Sequence, residues 1–241
     1  KTFEITFENP EGDHKLGYQT CYGLSDRVIA SVISIHGDES GLCLPPAVSP
    51  NQIVIVPIIF KKKGEEVLEK CRSLKSSLEK EGFRVHLDDR DIRAGKKYYE
   101  WEMRGVPLRI EIGPRDLEKN SAVLSRRDNG EKFSTDLDII SDEVGKTLNS
   151  ITSDMKEKAW AKMNSNIRPV QGLEEAREEI ENNKGVISFD WCGNEECGKE
   201  IEEKIRVDIL GVQKEKEKED GGTCFHCSSK ATCRALLART Y

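Results

Sequence analysis

Residues 52–60 read Gln52-Ile53-Val54-Ile55-Val56-Pro57-Ile58-Ile59-Phe60, and this run decides the fold. A continuous apolar stretch with no alternation is the pattern of a strand covered on both faces, which arises where helices lie on either side of a sheet. It is far below the roughly 20 residues needed to span a bilayer. No transmembrane segment or membrane partner is therefore expected. The first residues, Lys1-Thr2-Phe3-Glu4-Ile5-Thr6-Phe7-Glu8, alternate like a half-buried strand and lack the apolar stretch of a signal peptide, so the chain reads as cytoplasmic.

Downstream, Val67, Cys71, Leu74 and Leu78 mark one helix face, with Gly82 where a helix end needs a left-handed residue. Phe83-Arg84-Val85-His86-Leu87 reads as a second strand. A short helix around 97–103 leads to Pro107-Leu108-Arg109-Ile110-Glu111-Ile112, a third strand. Strand and helix in alternation imply an α/β layer with mainly parallel pairing. Ala122-Val123-Leu124 and Lys132-Phe133 flank an Asn129-Gly130 hairpin signal. A long helix is expected over about 136–164, another over 173–182, and a strand over 186–191. The run 213–222, nearly free of apolar residues, reads as a mobile loop.

Upstream, Leu24, Val28, Val32 and Ile35 give residues 24–36 a helical apolar stripe ending near Gly37. Pro45-Pro46 and Pro50 then break the chain, which places a domain boundary near residue 50. Gln19 to Arg27 reads as strand, turn and arginine at a helix start, where a guanidinium can meet a phosphate. An arginine alone at such a place is more often a surface or capping group.

The 241 residues carry a formal charge of -6, which would ordinarily disfavour a nucleic-acid partner. Residues 51–150, however, carry 20 basic and 19 acidic side chains, while 171–220 carry 8 and 16. The acidity sits on the flanks, and a polyanion can dock on the balanced middle.

Of eight cysteines, Cys21, Cys43 and Cys71 are expected to be small buried thiols without chemistry. Cys192-x4-Cys197 and Cys224-x2-Cys227 have the two-pair spacing of a tetrahedral thiolate set, and favour structural zinc over disulfides. His226 can replace Cys227, and Cys233 is a spare thiol. Four thiolates close the shell and leave no position for water, so the role is structural.

The string Gln19-Thr20-Cys21-Tyr22-Gly23-Leu24-Ser25-Asp26-Arg27, followed by the helix and His36-Gly37-Asp38-Glu39-Ser40-Gly41-Leu42-Cys43-Leu44-Pro45-Pro46, resembles the third signature of class II aminoacyl-tRNA synthetases, and its ending looks like the prolyl enzymes. Asp88-Asp89-Arg90-Asp91, Gly95-Lys96-Lys97 and 101–116 resemble the anticodon-binding domain of that family. The terminal Ala238-Arg239-Thr240-Tyr241 and the cysteine pairs extend the resemblance to its archaeal and eukaryotic type.

The resemblance implies three parts. Residues 1–50 would be a remnant of the class II catalytic domain, an antiparallel sheet. Residues 51–152 would be an α/β anticodon-binding domain with a mixed sheet flanked by helices, and 153–241 a small α+β zinc-binding domain. It implies that Ser25 and Arg27 contact ATP, which enters with Mg2+ as substrate. Glu102, Arg109, Arg115 and Asp116 would lie at the anticodon surface, and Tyr241 would fold back towards the active site. The implied reaction activates proline with ATP and transfers it to proline tRNA, in a homodimer. On spacing alone, the Arg/Glu alternation also fits a solvated face with cross-strand ion pairs, and Tyr241 a frayed terminus. The first two signatures are absent, so the chain is expected to be a C-terminal portion that alone forms no adenylate. A non-catalytic tRNA-binding protein and a glycyl, threonyl or histidyl synthetase are the competing readings.

Overall fold

The computed structural model describes residues 5–18, 20–59, 64–183, 185–212 and 222–240. The chain divides into two compact units, Lys1–Ile151 and Thr152–Tyr241.

In the first unit, β1 (Thr6–Glu8) and β2 (His14–Leu16) form an antiparallel hairpin. Helix α1 spans Arg27–His36. It starts three residues later than the apolar stripe, and among the described residues nothing covers that stripe: none of the helix residues is buried, and Leu24, Val28 and Ile35 are exposed. Residues 20–23, expected as strand and turn, are irregular. Cys43 and Cys71 are buried as expected, but Cys21 is exposed, since among the described residues nothing covers the irregular segment around it.

The apolar run forms β3 (Ile53–Pro57), buried at every position. With β4 (Val85–Leu87), β5 (Leu108–Ile112), β6 (Ser121–Arg126) and β7 (Lys132–Asp136) it makes a five-stranded sheet of order β4-β3-β5-β6-β7. β3 pairs parallel with both β4 and β5, but β5–β6 and β6–β7 are antiparallel. The sheet is thus evenly mixed rather than mainly parallel. The chain returns from β5 through the five-residue helix α4 (Pro114–Glu118), too short for a crossover to a parallel strand, and then through the Asn129-Gly130 hairpin.

Two helices explain why β3 is apolar on both faces. Helix α2 (Gly64–Lys80) buries Val67, Cys71, Leu74 and Leu78, and Gly82 follows at φ 92. Helix α3 (Ala94–Met103) sets Trp101 against Val54, Val56 and Val106 on the other face. Burying each such side chain contributes about 1.5–3 kcal/mol. Below them Asp88 accepts from Arg90 Nε (2.8 Å), Arg90 Nη2 (2.7 Å) and Trp101 Nε1 (2.8 Å), while the buried Lys97 donates to the Asp88 carbonyl (2.8 Å). Helix α5 (Ile140–Ser165) adds Val144, Leu148 and Ile151 to the buried set.

Arg84 ties the proline-rich stretch to the start of β4. Its Nε donates to Ser49 O (3.0 Å) and its Nη2 to Pro46 O (2.7 Å) and Ala47 O (3.2 Å).

In the second unit, β8 (Ile167–Pro169), β9 (Val186–Trp191), β10 (Asp208–Val212) and β11 (Cys233–Ala238) form a mixed sheet of order β10-β11-β9-β8. Helices α6 (Leu173–Asn183) and α7 (Glu195–Ile205) cover it, packing Ile180 and Ile201 with Ile187, Phe189 and Leu237. The expected loop at 213–221 lies outside the described residues. Among the described residues no helix is long and apolar enough to cross a membrane.

Candidate functional site

The first unit holds a pocket of about 300 Å³ over the α3 face of the sheet. Strand β5 turns Arg109 onto this face and pairs it in register with Ser125 of β6. Glu111 shares the face, two residues on. Arg109 Nε donates to Glu111 Oε1 (3.0 Å) and Nη2 to Ser125 Oγ (3.3 Å). Tyr98 of α3 lies under the guanidinium, 4.2 Å from Cζ to ring centroid. Its hydroxyl is pushed up, first by burial and then by the Glu111 carboxylate to which it bonds. Lys132 of β7 completes the set, 3.4 Å from Glu111 Oε1 and 5.6 Å from the Tyr98 centroid.

Glu102, near the end of α3, lines the same pocket, as does Arg127 in the hairpin turn. Arg127 Nε donates to Glu102 O (3.0 Å), and its two terminal nitrogens grip Asp38. That grip holds the Asp38 carboxyl at about 2. Of the four residues expected at an anticodon surface, the structure thus brings Glu102 and Arg109 together. Arg115 and Asp116 lie on α4 and do not line the pocket. Arg115 is exposed, and the Asp116 carboxylate accepts from Gly113 N (2.8 Å), capping that helix. Tyr98, Glu111, Lys132 and Arg127 were not singled out from the sequence. The spacing of Arg109 and Glu111 on one strand face was the available signal for Glu111.

A polar wall of this kind suits a nucleobase. Arginine offers paired donors to guanine O6 and N7, and a carboxylate accepts from guanine N1 and N2. Ser25 and Arg27 stand at the exposed start of α1, where Val28 N donates to Ser25 O (3.1 Å).

The second unit gathers Cys192, Cys197, Cys224 and Cys227, with all four Sγ atoms within 4.8 Å of one another. Cys192 follows β9. Cys197 sits in the first turn of α7, which Asn194 caps by accepting from Glu196 N (2.8 Å) and Cys197 N (3.2 Å). Cys224 and Cys227 lie in a turn closed by Cys224 N to Ser229 O (2.7 Å). The Sγ pairs Cys197–Cys224 and Cys192–Cys227 are 3.8 and 3.7 Å apart. Four thiolates at about 2.3 Å from a tetrahedral zinc stand about 3.8 Å apart, so this donor set fits the ion.

Burial pushes the Cys197 and Cys192 thiols up, whereas bonds from Ser229 pull Cys227 down to about 6. His226 is not in the cluster; its Nε2 meets Glu200 Oε2 (2.8 Å). Cys233 Sγ instead meets Trp191 O (3.6 Å). Tyr241 lies outside the described residues.

The family described as "Anticodon binding domain" matches residues 52–147, and that described as "Prolyl-tRNA synthetase, C-terminal" matches 173–241. A proline--tRNA ligase of Methanothermobacter thermautotrophicus is 63% identical over 231 residues, covering 96% of this chain and 47% of that protein. The chain belongs to the prolyl-tRNA synthetase family. A proline--tRNA ligase of Methanosphaera stadtmanae is 48% identical, over 100% of this chain and 51% of that protein. Among solved structures, the Giardia lamblia prolyl-tRNA synthetase in complex with prolyl-adenylate superposes with a TM-score of 0.88 at 31% identity, covering 100% of this chain and 52% of that one. The chain thus spans about half the length of the prolyl-tRNA synthetases it matches.

Proposed function

We propose that this chain supplies the anticodon-reading and zinc-binding portion of a proline–tRNA ligase, which activates proline with ATP as prolyl-adenylate and esterifies proline tRNA. The observation that carries the reading is the pocket that Arg109, braced by Tyr98 and Glu111, lines together with Glu102, inside the segment matched as an anticodon-binding domain.

Residues 1–50 act as one wall of the catalytic domain, 51–152 as the anticodon domain and 153–241 as the zinc domain. In the pocket, Arg109 and Glu102 read base edges of the anticodon. Arg115 and Asp116, on α4, contact the neighbouring nucleotide. Ser25 and Arg27 contact ATP, which arrives with Mg2+; the Arg27 guanidinium at its terminal phosphate offsets charge as the adenylate forms. The remaining ATP and proline contacts belong to the half of the relatives' length that this chain does not span. The enzyme works as a cytoplasmic homodimer.

Zinc, held by Cys192, Cys197, Cys224 and Cys227, supplies a structural crosslink between β9, α7 and the turn at 224–227. It performs no chemistry on substrate.

The test is prolylation by the full-length protein of proline tRNA with native and with substituted anticodon bases. Charging of the native tRNA alone supports the reading. Equal charging of every anticodon rejects the pocket's role, and charging with another amino acid rejects the ligase assignment.

A further inference from the structure

Asp38 and Arg127, 89 positions apart, are joined by two parallel bonds: Nη1 to Oδ2 (2.7 Å) and Nη2 to Oδ1 (2.6 Å). The Arg127 side chain is 6% exposed, that of Asp38 50%. The third nitrogen, Nε, donates to the carbonyl of Glu102 (3.0 Å). One nearly buried guanidinium therefore holds the loop after α1 with one edge and the backbone of a pocket residue with the other. Its donors form a rigid planar fork, so a shift of either partner is passed on or breaks a bond.

The surroundings leave no slack. Leu42 N donates to Met103 O (3.0 Å) and Leu44 N to Gly105 O (3.2 Å). A Cβ on Gly41 would stand 2.6 Å from Met103 O, and one on Gly105 2.7 Å from the backbone of Leu42. Surfaces packed this tightly respond by switching arrangement rather than by deforming gradually. Asp38 lies two residues beyond the end of α1, a rod of ten residues that starts at Arg27.

We propose that the Asp38–Arg127 pair couples the pocket to α1: Arg127 is a positioning residue that sets Glu102 and, through Asp38, links occupation of the pocket to the segment bearing Ser25 and Arg27. This rests on the anticodon reading of the pocket.

The test uses the full-length enzyme with Asp38→Asn, which keeps an acceptor for the turn bond from Ser40 N (2.9 Å) but loses the charge. ATP–pyrophosphate exchange without tRNA is expected to match wild type. kcat/KM for proline tRNA is expected to fall about tenfold, within the range of site-to-site couplings, while an anticodon-substituted tRNA stays within about twofold, so that discrimination shrinks. Asp38→Glu, melted alongside, should recover part of the loss even if Asp38→Asn folds poorly. Unchanged discrimination in Asp38→Asn overturns the coupling. So does a proportional loss of exchange and of charging for both tRNAs, which is what a merely structural bond would give. Wild-type enzyme indifferent to the anticodon would instead overturn the underlying pocket assignment.

Discussion

Arg109 sits over the ring of Tyr98, its Cζ 4.2 Å from the centroid, and the same guanidinium bonds Glu111 and Ser125. An arginine held on its face and along one edge has lost most of its rotamer freedom before any ligand arrives, which lowers the cost of binding.

Arg109→Ala in the full-length protein should weaken binding of cognate tRNA by about 1–3 kcal/mol and relax base choice at one anticodon position, with the salt slope retained. Binding titrations at several salt concentrations check this. Uniform weakening across all anticodons with a shallower slope would assign Arg109 to a phosphate instead.

Metal analysis should find about one zinc per chain. Cys224→Ser, which removes a buried donor of the set, should lose it and lower the melting temperature. A metal-free, equally stable protein would rule the site out. Protons compete with the ion for all four thiolates, so zinc should be released progressively as the solution is acidified, read by a chromogenic chelator.

Asp88→Ala should cost about 3–5 kcal/mol, because it leaves Trp101 Nε1 without its acceptor and the buried Lys97 ammonium without the carboxylate 4.0 Å away. Denaturant unfolding measures it. Bonds from Arg90, above all, hold the Asp88 carboxyl well below the usual carboxylate range. A lowered folded value means that this contribution is complete above about pH 4 and is lost as the solution is acidified below that.

Gly105→Ala places a side chain at φ 72, with its Cβ 2.7 Å from the Leu42 backbone. The backbone conformation alone should cost about 1–3 kcal/mol, and the clash should open the contact with residues 41–44. Gly95→Ala, inside α3 with open space around it, is the control and should keep or raise the melting temperature.

The parts of this fold that were legible in the sequence are those in which one local pattern faces one environment. The apolar run at 53–57 had to be covered on both faces, and Val67, Cys71, Leu74 and Leu78 had to share a helix face. The two cysteine pairs of the cluster were readable because a short spacing keeps the two thiols of each pair close whatever the surrounding fold. Less legible was anything settled by long-range pairing. Strand direction after β5 depended on the short α4, and the pocket drew Tyr98, Arg109, Lys132 and Arg127 from α3, β5, β7 and a turn. The apolar stripe of α1 predicted the helix and its end at Gly37, although the described residues bring nothing to bury it.

The proline-rich stretch at 45–50 has the composition of a joint, yet three of its carbonyls end on the single side chain of Arg84. Prolines restrict torsion from within, and the guanidinium pins the outside. The passage from the α1 segment into β3 is therefore a splint. Its three bonds restrain the passage against bending, and Arg84→Ala would remove that restraint.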